Sequence, residues 1–195
     1  MTPFVLASSS PRRAELLRAA GYAFEVDPAA IDETTLLLDI ASPSARATGI
    51  ALAKARSVFE RRPDRVVVGA DTLVVLGDQV LGKPRDEAEA LWMLSRLSGA
   101  SHEVVTGLAV LAPGAPARTG FAATHVTFGR WPSAALVAYA RSGAPLDKAG
   151  AYGIQETAGA FVEAVQGCYF NVVGLPLSRL ARLLAECDPE AAPTG

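Results

Sequence analysis

The chain opens with an apolar run that gives way to a helical pattern. Residues 4–7 (FVLA) are compatible with a β-strand, and three serines follow them before an amphipathic stretch begins at Pro11. Ser10 and Pro11 form an N-cap and first-turn pair, and Gly21 supplies the stop. The pattern therefore predicts a strand-to-helix junction at the serines, where free backbone N–H groups and the positive helix end favour an anion.

The rest of the chain alternates between the same two kinds of pattern. Residues 65–76 (RVVVGADTLVVL) are rich in β-branched side chains, as expected of a buried strand, and Gly77-Asp78 after them is a hairpin signal. Further strands are predicted at 22–28, 79–84, 102–112 and 121–131, a hairpin at 160–167, and helices at 42–60, 86–98, 132–141 and 176–187. Because strands and helices alternate early and strands dominate later, the sequence predicts an α/β domain with a mixed sheet.

The length and composition are those of a globular protein. At 195 residues and 20.2 kDa the chain is one domain, or two small lobes that share a core. A chain of this length buries about 70% of its unfolded surface, so it needs no disulfide or metal to fold. We expect a single domain over residues 1–187 and a disordered tail at 188–195.

The charge balance gives no broad basic surface for a nucleic acid. The chain has 18 basic and 20 acidic residues, so a bound anion is expected to be small and held locally. No apolar run approaches the roughly 18 residues of a membrane span. The two histidines and two cysteines have no metal-ligand spacing, so a divalent metal would be bound by carboxylate oxygens, which favours Mg²⁺ or Mn²⁺.

Two adjacent arginines, Arg12 and Arg13, follow the serines and have two interpretations. An export signal places its positive charges before its apolar stretch, whereas here the apolar run comes before the arginines. We therefore expect a cytoplasmic protein in which both arginines lie beside the helix start. There they serve either as phosphate ligands or as solvent-facing residues that increase solubility.

Asp71 is the strongest candidate for chemistry. It directly follows VVVGA, at the expected end of a buried strand, where an ionised carboxylate is rarely left without a partner. A metal-binding or general-base role and a structural hydrogen bond to the next turn are both compatible with this position. Lys83 lies beyond the hairpin and can bring a positive charge back towards the same edge.

Other charged residues carry weaker signals. Lys54 on its own is predicted to be a solvated helix residue, and the adjacent Asp32 and Glu33 fit an ordinary turn. The glycine-rich stretch 143–155, which contains Lys148, either lets backbone approach a ligand or is a flexible connection. Neither GxxxxGK[ST] nor GxGxxG occurs. Physical reasoning alone therefore leads to an α/β protein, and binding of a phosphorylated small molecule through Mg²⁺ is one function that is compatible with these residues.

Eight short blocks of the sequence form an ordered set. They extend from Leu6 to Leu177 and are LASSSPRRAELL, DET, ALAKA, GADTLVV, LGKPRDEAEA, TGLAV, PLDKAGAYGIQ and VVGLPL. Together they resemble the Maf family of nucleoside triphosphate pyrophosphatases. The resemblance implies hydrolysis between the α and β phosphates of a nucleoside triphosphate, with Mg²⁺, Mn²⁺ or a similar divalent cation as cofactor. It also implies an elongated α/β fold with two lobes and a central cleft, similar to inosine triphosphate pyrophosphatases.

The resemblance also implies roles for individual residues. Asp71 would be the proton acceptor, and Glu33 and Asp71 would hold the metal. The residues implied for the phosphate site are Ser8, Ser10, Arg12, Arg13, Lys54 and Lys83. The positions linked to nucleotide choice are Arg12, Thr72 and Gln155.

Two motifs indicate a branch of the family. GADT together with KAGAYGIQ resembles the branch that acts on dTTP and UTP, whereas the branch acting on 7-methyl-GTP tends towards GSDQ. The implied substrate is dTTP, UTP or a modified pyrimidine nucleotide. The family's association with septum formation leaves an alternative, a nucleotide-binding regulator of cell division with little turnover. A homodimer is a further family-level expectation, and neither a nucleic-acid polymer nor a membrane is expected as a partner.

Overall fold

The computed structural model describes residues 3–31 and 42–187. Within these ranges the chain divides into two units. Unit 1 contains the residues up to Asp71, Thr106–Ala122 and the residues from Gly174 onward, and unit 2 contains Thr72–Val105 and Ala123–Val173. The predicted disordered tail, 188–195, lies outside the described residues.

The described residues form seven strands and six α-helices. The strands are β1 (Phe4–Leu6), β2 (Phe24–Val26), β3 (Val67–Leu76), β4 (Gln79–Leu81), β5 (Ser101–Leu111), β6 (Arg118–Phe128) and β7 (Val162–Gln166). The helices are α1 (Pro11–Ala19), α2 (Pro43–Phe59), α3 (Glu87–Leu97), α4 (Ser133–Arg141), α5 (Tyr169–Val173) and α6 (Leu177–Cys187). Short 3₁₀ turns at Ala144–Asp147, Ala149–Ala151 and Thr157–Phe161 occupy the stretch between α4 and β7. None of the described helices is both long and apolar enough to cross a membrane.

The strands form one mixed sheet in the order β2-β1-β3-β5-β6-β7, with β4 paired to β3. β1 runs parallel to β2 and to β3, whereas β4 is antiparallel to β3 and β7 is antiparallel to β6. The α/β class and the mixed sheet predicted from the sequence are thus confirmed. The predicted hairpin at 160–167 is wrong in one respect, because β7 pairs with the earlier strand β6 and is followed by the short helix α5.

In unit 1, glycines allow α2 to pack directly on the sheet. A Cβ atom at Gly69 would lie 2.1 Å from the carbonyl oxygen of Ala51, and one at Gly107 would lie 2.3 Å from the carbonyl carbon of Ala47. Any side chain at these two positions would push the helix away from β3 and β5. The close approach fixes α2 above the strand that carries Asp71.

Unit 2 has a core rich in aromatic rings. Phe128 lies at its centre and contacts the rings of His102, Tyr152 and Phe161 at centroid distances of 5.2, 4.8 and 6.2 Å. Helices α3 and α4 add Met93, Leu94 and other apolar side chains to the same cluster. This core anchors the chain on either side of the glycine-rich stretch that contains Gln155.

Candidate active site

A buried ion pair between Lys54 and Asp71 lies at the centre of the candidate site in unit 1. The ammonium of Lys54 donates to Oδ1 of Asp71 at 2.7 Å, and the two residues are 5% and 6% exposed. The predicted solvated position of Lys54 is therefore wrong, because the helix carries it over the sheet. The expectation that the carboxylate of Asp71 is not left without a partner is confirmed.

The position of Asp71 in its strand also differs from the prediction. β3 continues through Asp71 to Leu76, so the carboxylate projects from the middle of a ten-residue strand and not from its end. Gly69 interrupts the run of β-branched residues without ending the strand, because its role is to admit the backbone of α2. Ala51 and Ala55 face it from the helix, and Lys54 lies between them in the sequence.

The serine-rich junction is built around a buried arginine. Arg13 is 8% exposed and Ser8 is 7% exposed. The guanidinium donates from Nε to the carbonyl oxygen of Gly174 and from Nη1 to Oγ of Ser8, both at 2.9 Å. The solvent-facing interpretation of Arg13 is therefore wrong. The predicted strand-to-helix junction is confirmed, since β1 ends at Leu6 and α1 begins at Pro11.

Ser10 lies at the start of α1 and bonds to Ser8. The side chain of Ser10, the N-cap residue, makes no capping hydrogen bond, and its backbone N–H donates to Oγ of Ser8 at 3.3 Å. Ser8 Oγ thus accepts from both Arg13 and Ser10, which orients its own hydroxyl proton away from them. Arg12 is half-buried beside this turn. Ser8 thus contacts both Ser10 and Arg13, and Arg12 and the Lys54–Asp71 pair belong to the same unit.

The other described candidates belong to unit 2. Thr72 follows Asp71 on β3 and is half-buried, whereas Lys83 and Gln155 are exposed. β4 runs back along β3 with Leu81 opposite Val74, so the hairpin predicted at Gly77-Asp78 is confirmed, whereas the return of Lys83 towards the edge that carries Asp71 stays a prediction. The remaining predicted site residue, Glu33, lies outside the described residues together with Asp32.

Sequence reasoning missed a buried histidine–tyrosine pair in unit 2. His102 is 2% exposed, and its Nε2 lies 2.8 Å from the hydroxyl of Tyr152. Burial lowers the pKa of His102 to about 4, so the imidazole is neutral at physiological pH. The alternation of polar and apolar residues in β5 gave no sign of this pair. The sequence feature that could have drawn attention to this pair is the motif AYGIQ, which contains Tyr152 shortly before Gln155.

The donor chemistry of the site suits a divalent cation that is shared with a phosphate. Asp71 supplies a buried carboxylate with one oxygen bonded to Lys54, and a carboxylate has further lone pairs on its second oxygen. Within 3–31 and 42–187, His, Cys, Asp and Glu form no group of three that could bind a metal. Mg²⁺ is commonly held by only one or two carboxylates together with substrate phosphates, so Asp71 fits this mode of binding.

Comparison with known proteins identifies the family. The family model described as Maf-like protein matches residues 3–187. The chain belongs to the Maf family. A protein of Symbiobacterium thermophilum named dTTP/UTP pyrophosphatase is 47% identical over 186 residues, which cover 95% of this chain and 94% of that protein. A protein of Moorella thermoacetica with the same name is 49% identical, and the alignment covers 95% of this chain and 95% of that protein.

A solved structure with lower similarity also aligns with this Maf protein. It is a HAM1 protein from Coxiella burnetii, with a TM-score of 0.44 and 16% identity, and the alignment covers 68% of this chain and 75% of that one. The family membership predicted from the eight sequence blocks is confirmed by the match over residues 3–187 and does not depend on this alignment.

Proposed function

We propose that this Maf protein is a nucleoside triphosphate pyrophosphatase that hydrolyses dTTP and UTP to the monophosphate and pyrophosphate. The observation that carries the proposal is the buried Asp71 carboxylate, held 2.7 Å from the ammonium of Lys54. It occurs in a chain that is 47% identical, over 95% of its length, to a protein named dTTP/UTP pyrophosphatase. A carboxylate held in a fixed position is a group that can accept a proton from an attacking water within hydrogen-bond reach.

In this proposal Asp71 is the proton acceptor for the attacking water. The water oxygen forms a bond to the α-phosphorus, the bridging oxygen leaves with the electron pair of its bond as pyrophosphate, and a water proton passes to Asp71. Lys54 keeps the carboxylate in place, which is a different role from the phosphate contact implied by the family resemblance. No covalent nucleophile is needed, because positioning and charge neutralisation supply most of the rate enhancement of such displacements.

The serine-rich junction would bind the triphosphate. The hydroxyls of Ser8 and Ser10 lie at the start of α1, where the helix dipole favours an anion. Arg12 and Lys83 would contribute charge directly to the phosphates. Arg13 orients Ser8 through its 2.9 Å hydrogen bond, so its contribution to binding is at least partly indirect.

A divalent cation belongs to the same proposal. Asp71 and Glu33 would hold it, and Mg²⁺ or Mn²⁺ would neutralise charge that develops on the phosphate oxygens. Arg12, Thr72 and Gln155 would determine the choice of base, since a glutamine amide offers both a donor and an acceptor to the edge of uracil or thymine. We also place the protein in the cytoplasm, where nucleoside triphosphates are available, and a homodimer stays a family-level expectation.

The decisive experiment is a nucleotide panel assayed for pyrophosphate with and without Mg²⁺. We expect dTTP and UTP to have higher kcat/KM than GTP, ATP or 7-methyl-GTP. Asp71→Asn should reduce kcat by about 10²–10⁴ while nucleotide still binds. The assay must be run well below the unfolding temperature, because the buried ammonium of Lys54 loses the charge of one of its acceptors when Asp71 becomes Asn.

Three results would overturn parts of the proposal. Nucleotide binding without pyrophosphate release would favour the alternative, a regulator of cell division. A panel led by 7-methyl-GTP would contradict the choice of branch but not the hydrolysis. Wild-type kcat in Asp71→Asn would remove that residue from the mechanism.

A further inference from the structure

Lys148 in unit 2 binds residues that lie before it and after it in the sequence. Its side chain is 6% exposed, and its ammonium contacts three acceptors: the carbonyl oxygen of Ala144 at 2.6 Å, Oδ1 of Asp147 at 2.7 Å and Oε1 of Glu156 at 3.1 Å. A lysine ammonium has three protons, so these acceptors use its full donor capacity. All three belong to residues 144–156, which we call the brace segment.

A glycine accommodates the stem of this lysine. A Cβ atom at Gly153 would lie 2.8 Å from Cε and 3.1 Å from Cδ of Lys148, closer than such atoms normally approach. The backbone of Gly153 therefore packs against the aliphatic part of Lys148. The same hypothetical Cβ would lie 3.2 Å from Cδ of Glu156, so the lysine, its carboxylate partner and the glycine form one packed unit.

The middle of the brace segment has its own anchors. The backbone N–H of Gly150 donates to the carbonyl oxygen of Gly82 at 3.0 Å, and the hydroxyl of Tyr152 pairs with His102 at 2.8 Å. Gly150 and Ala151 both have left-handed backbone conformations, with φ of 70° and 63°. That conformation is unfavourable for alanine, so surrounding contacts must maintain it.

The arrangement has a consequence for Gln155, which lies next to Glu156 and is exposed. We infer that Lys148, by binding Glu156 and the start of the brace segment at once, is a positioning residue for Gln155 and thereby sets the selectivity for pyrimidine nucleotides. The inference rests on the proposed function, in which Gln155 reads the base edge. A long amide side chain distinguishes bases only when its backbone is fixed, because discrimination depends on correctly placed hydrogen bonds.

The test compares Lys148→Met and Glu156→Gln with a matched control. The control is Glu87→Gln, which makes the same chemical change in an exposed pair with Arg141, whose side chains are 55% and 70% exposed. For each protein, kcat and KM are measured with dTTP and with GTP, and hydrogen exchange is followed at amides 149–156. We expect Lys148→Met to raise the KM for dTTP, to lower the dTTP-to-GTP ratio of kcat/KM about tenfold, and to accelerate exchange. Glu156→Gln should have a smaller effect in the same direction, and Glu87→Gln none.

Each contrary outcome has a definite meaning. If dTTP and GTP hydrolysis fall by the same factor in Lys148→Met, or if exchange accelerates while the ratio holds, Lys148 does not set selectivity and the inference is wrong. If Lys148→Met does not fold, Gly153→Ala provides the same test, because its new Cβ displaces the lysine stem without removing the charge. A wild-type protein that turns over neither nucleotide would refute the proposed function instead, and unchanged exchange in the variants would separately refute the bracing.

Discussion

Replacing Lys54 by methionine should destabilise the protein far more than the loss of a surface charge does. The substitution keeps the length of the apolar stem but leaves the carboxylate of Asp71, which is 6% exposed, without its cation. At the Nζ–Oδ1 distance of 2.7 Å, the attraction that is lost amounts to about 6 kcal/mol at an effective dielectric constant of about 20. Part of this is recovered because methionine carries no charge to desolvate, so the expected net cost is about 3–5 kcal/mol.

The control for this measurement is an exposed ion pair of the same length in unit 1. Arg61 and Asp27 also lie 2.7 Å apart, but their side chains are 43% and 26% exposed. Arg61→Met should therefore cost less than about 1 kcal/mol. Urea unfolding followed by circular dichroism gives both values. For a chain of 195 residues, the loss of about 3–5 kcal/mol in Lys54→Met corresponds to a fall in Tm of about 6–20 °C.

A second substitution separates the ion pair from a direct phosphate contact. In Lys54→Met/Asp71→Asn the buried anion is gone, so the double variant should be more stable than the sum of the single changes predicts, by about 2 kcal/mol or more. If Lys54→Met costs no more than Arg61→Met while the KM for dTTP rises, Lys54 binds phosphate and the reasoning from burial is refuted.

Three further predictions follow from other buried or exposed side chains. Arg13→Ala should lower the free energy of unfolding by about 2–4 kcal/mol, because the carbonyl oxygen of Gly174 loses a buried, charged hydrogen-bond donor. A change near zero in denaturant unfolding would contradict this. Burial of His102 lowers its pKa from 6.5 in the unfolded chain to about 4. The stability that the neutral imidazole contributes is therefore fully present above pH 6.5 and is lost as the pH falls towards 4. Between about pH 7.5 and about pH 5 the wild type should lose about 2 kcal/mol that His102→Gln does not lose, and equal slopes for both proteins would rule this out. Gln155→Ala should narrow the preference for dTTP over GTP in the pyrophosphate assay, with little change in Tm because the side chain is exposed.

The sequence predicts the elements well where local chemistry determines them. Helix α1 begins at Pro11 and α2 at Pro43, as the serine–proline pairs indicated, and Asp86 caps α3 by accepting from the N–H of Glu89 at 2.8 Å. These signals act within one turn of chain, so no knowledge of distant residues is needed. The family could likewise be recognised from the order of short motifs, independently of any contact.

The predictions fail where a partner distant in the sequence decides the environment of a charge. From the sequence, Arg13 looks like a surface residue of an amphipathic helix. The structure shows that its Nε donates a hydrogen bond to the carbonyl oxygen of Gly174, 161 residues later. Lys148 lies in a stretch whose glycines suggested either flexibility or close approach to a ligand. The acceptors that bury its ammonium become apparent only when the backbone turns back on itself.

Lys54 shows which sequence signal would have identified the candidate site. An isolated lysine on a helix is normally solvated, and neither ALAKA nor GAD alone indicates otherwise. The informative residues are the small ones, because they let the strand and the helix pack closely. A Cβ atom added at Gly69 would lie within 3.0 Å of atoms of Ala51 and Ala55. At that separation the lysine between the two alanines reaches the carboxylate two residues beyond the glycine at 2.7 Å. A substitution such as Gly69→Ala should therefore disrupt the Lys54–Asp71 pair although it alters no charged group, and the small residues of these motifs are as necessary to the site as the charges they bring together.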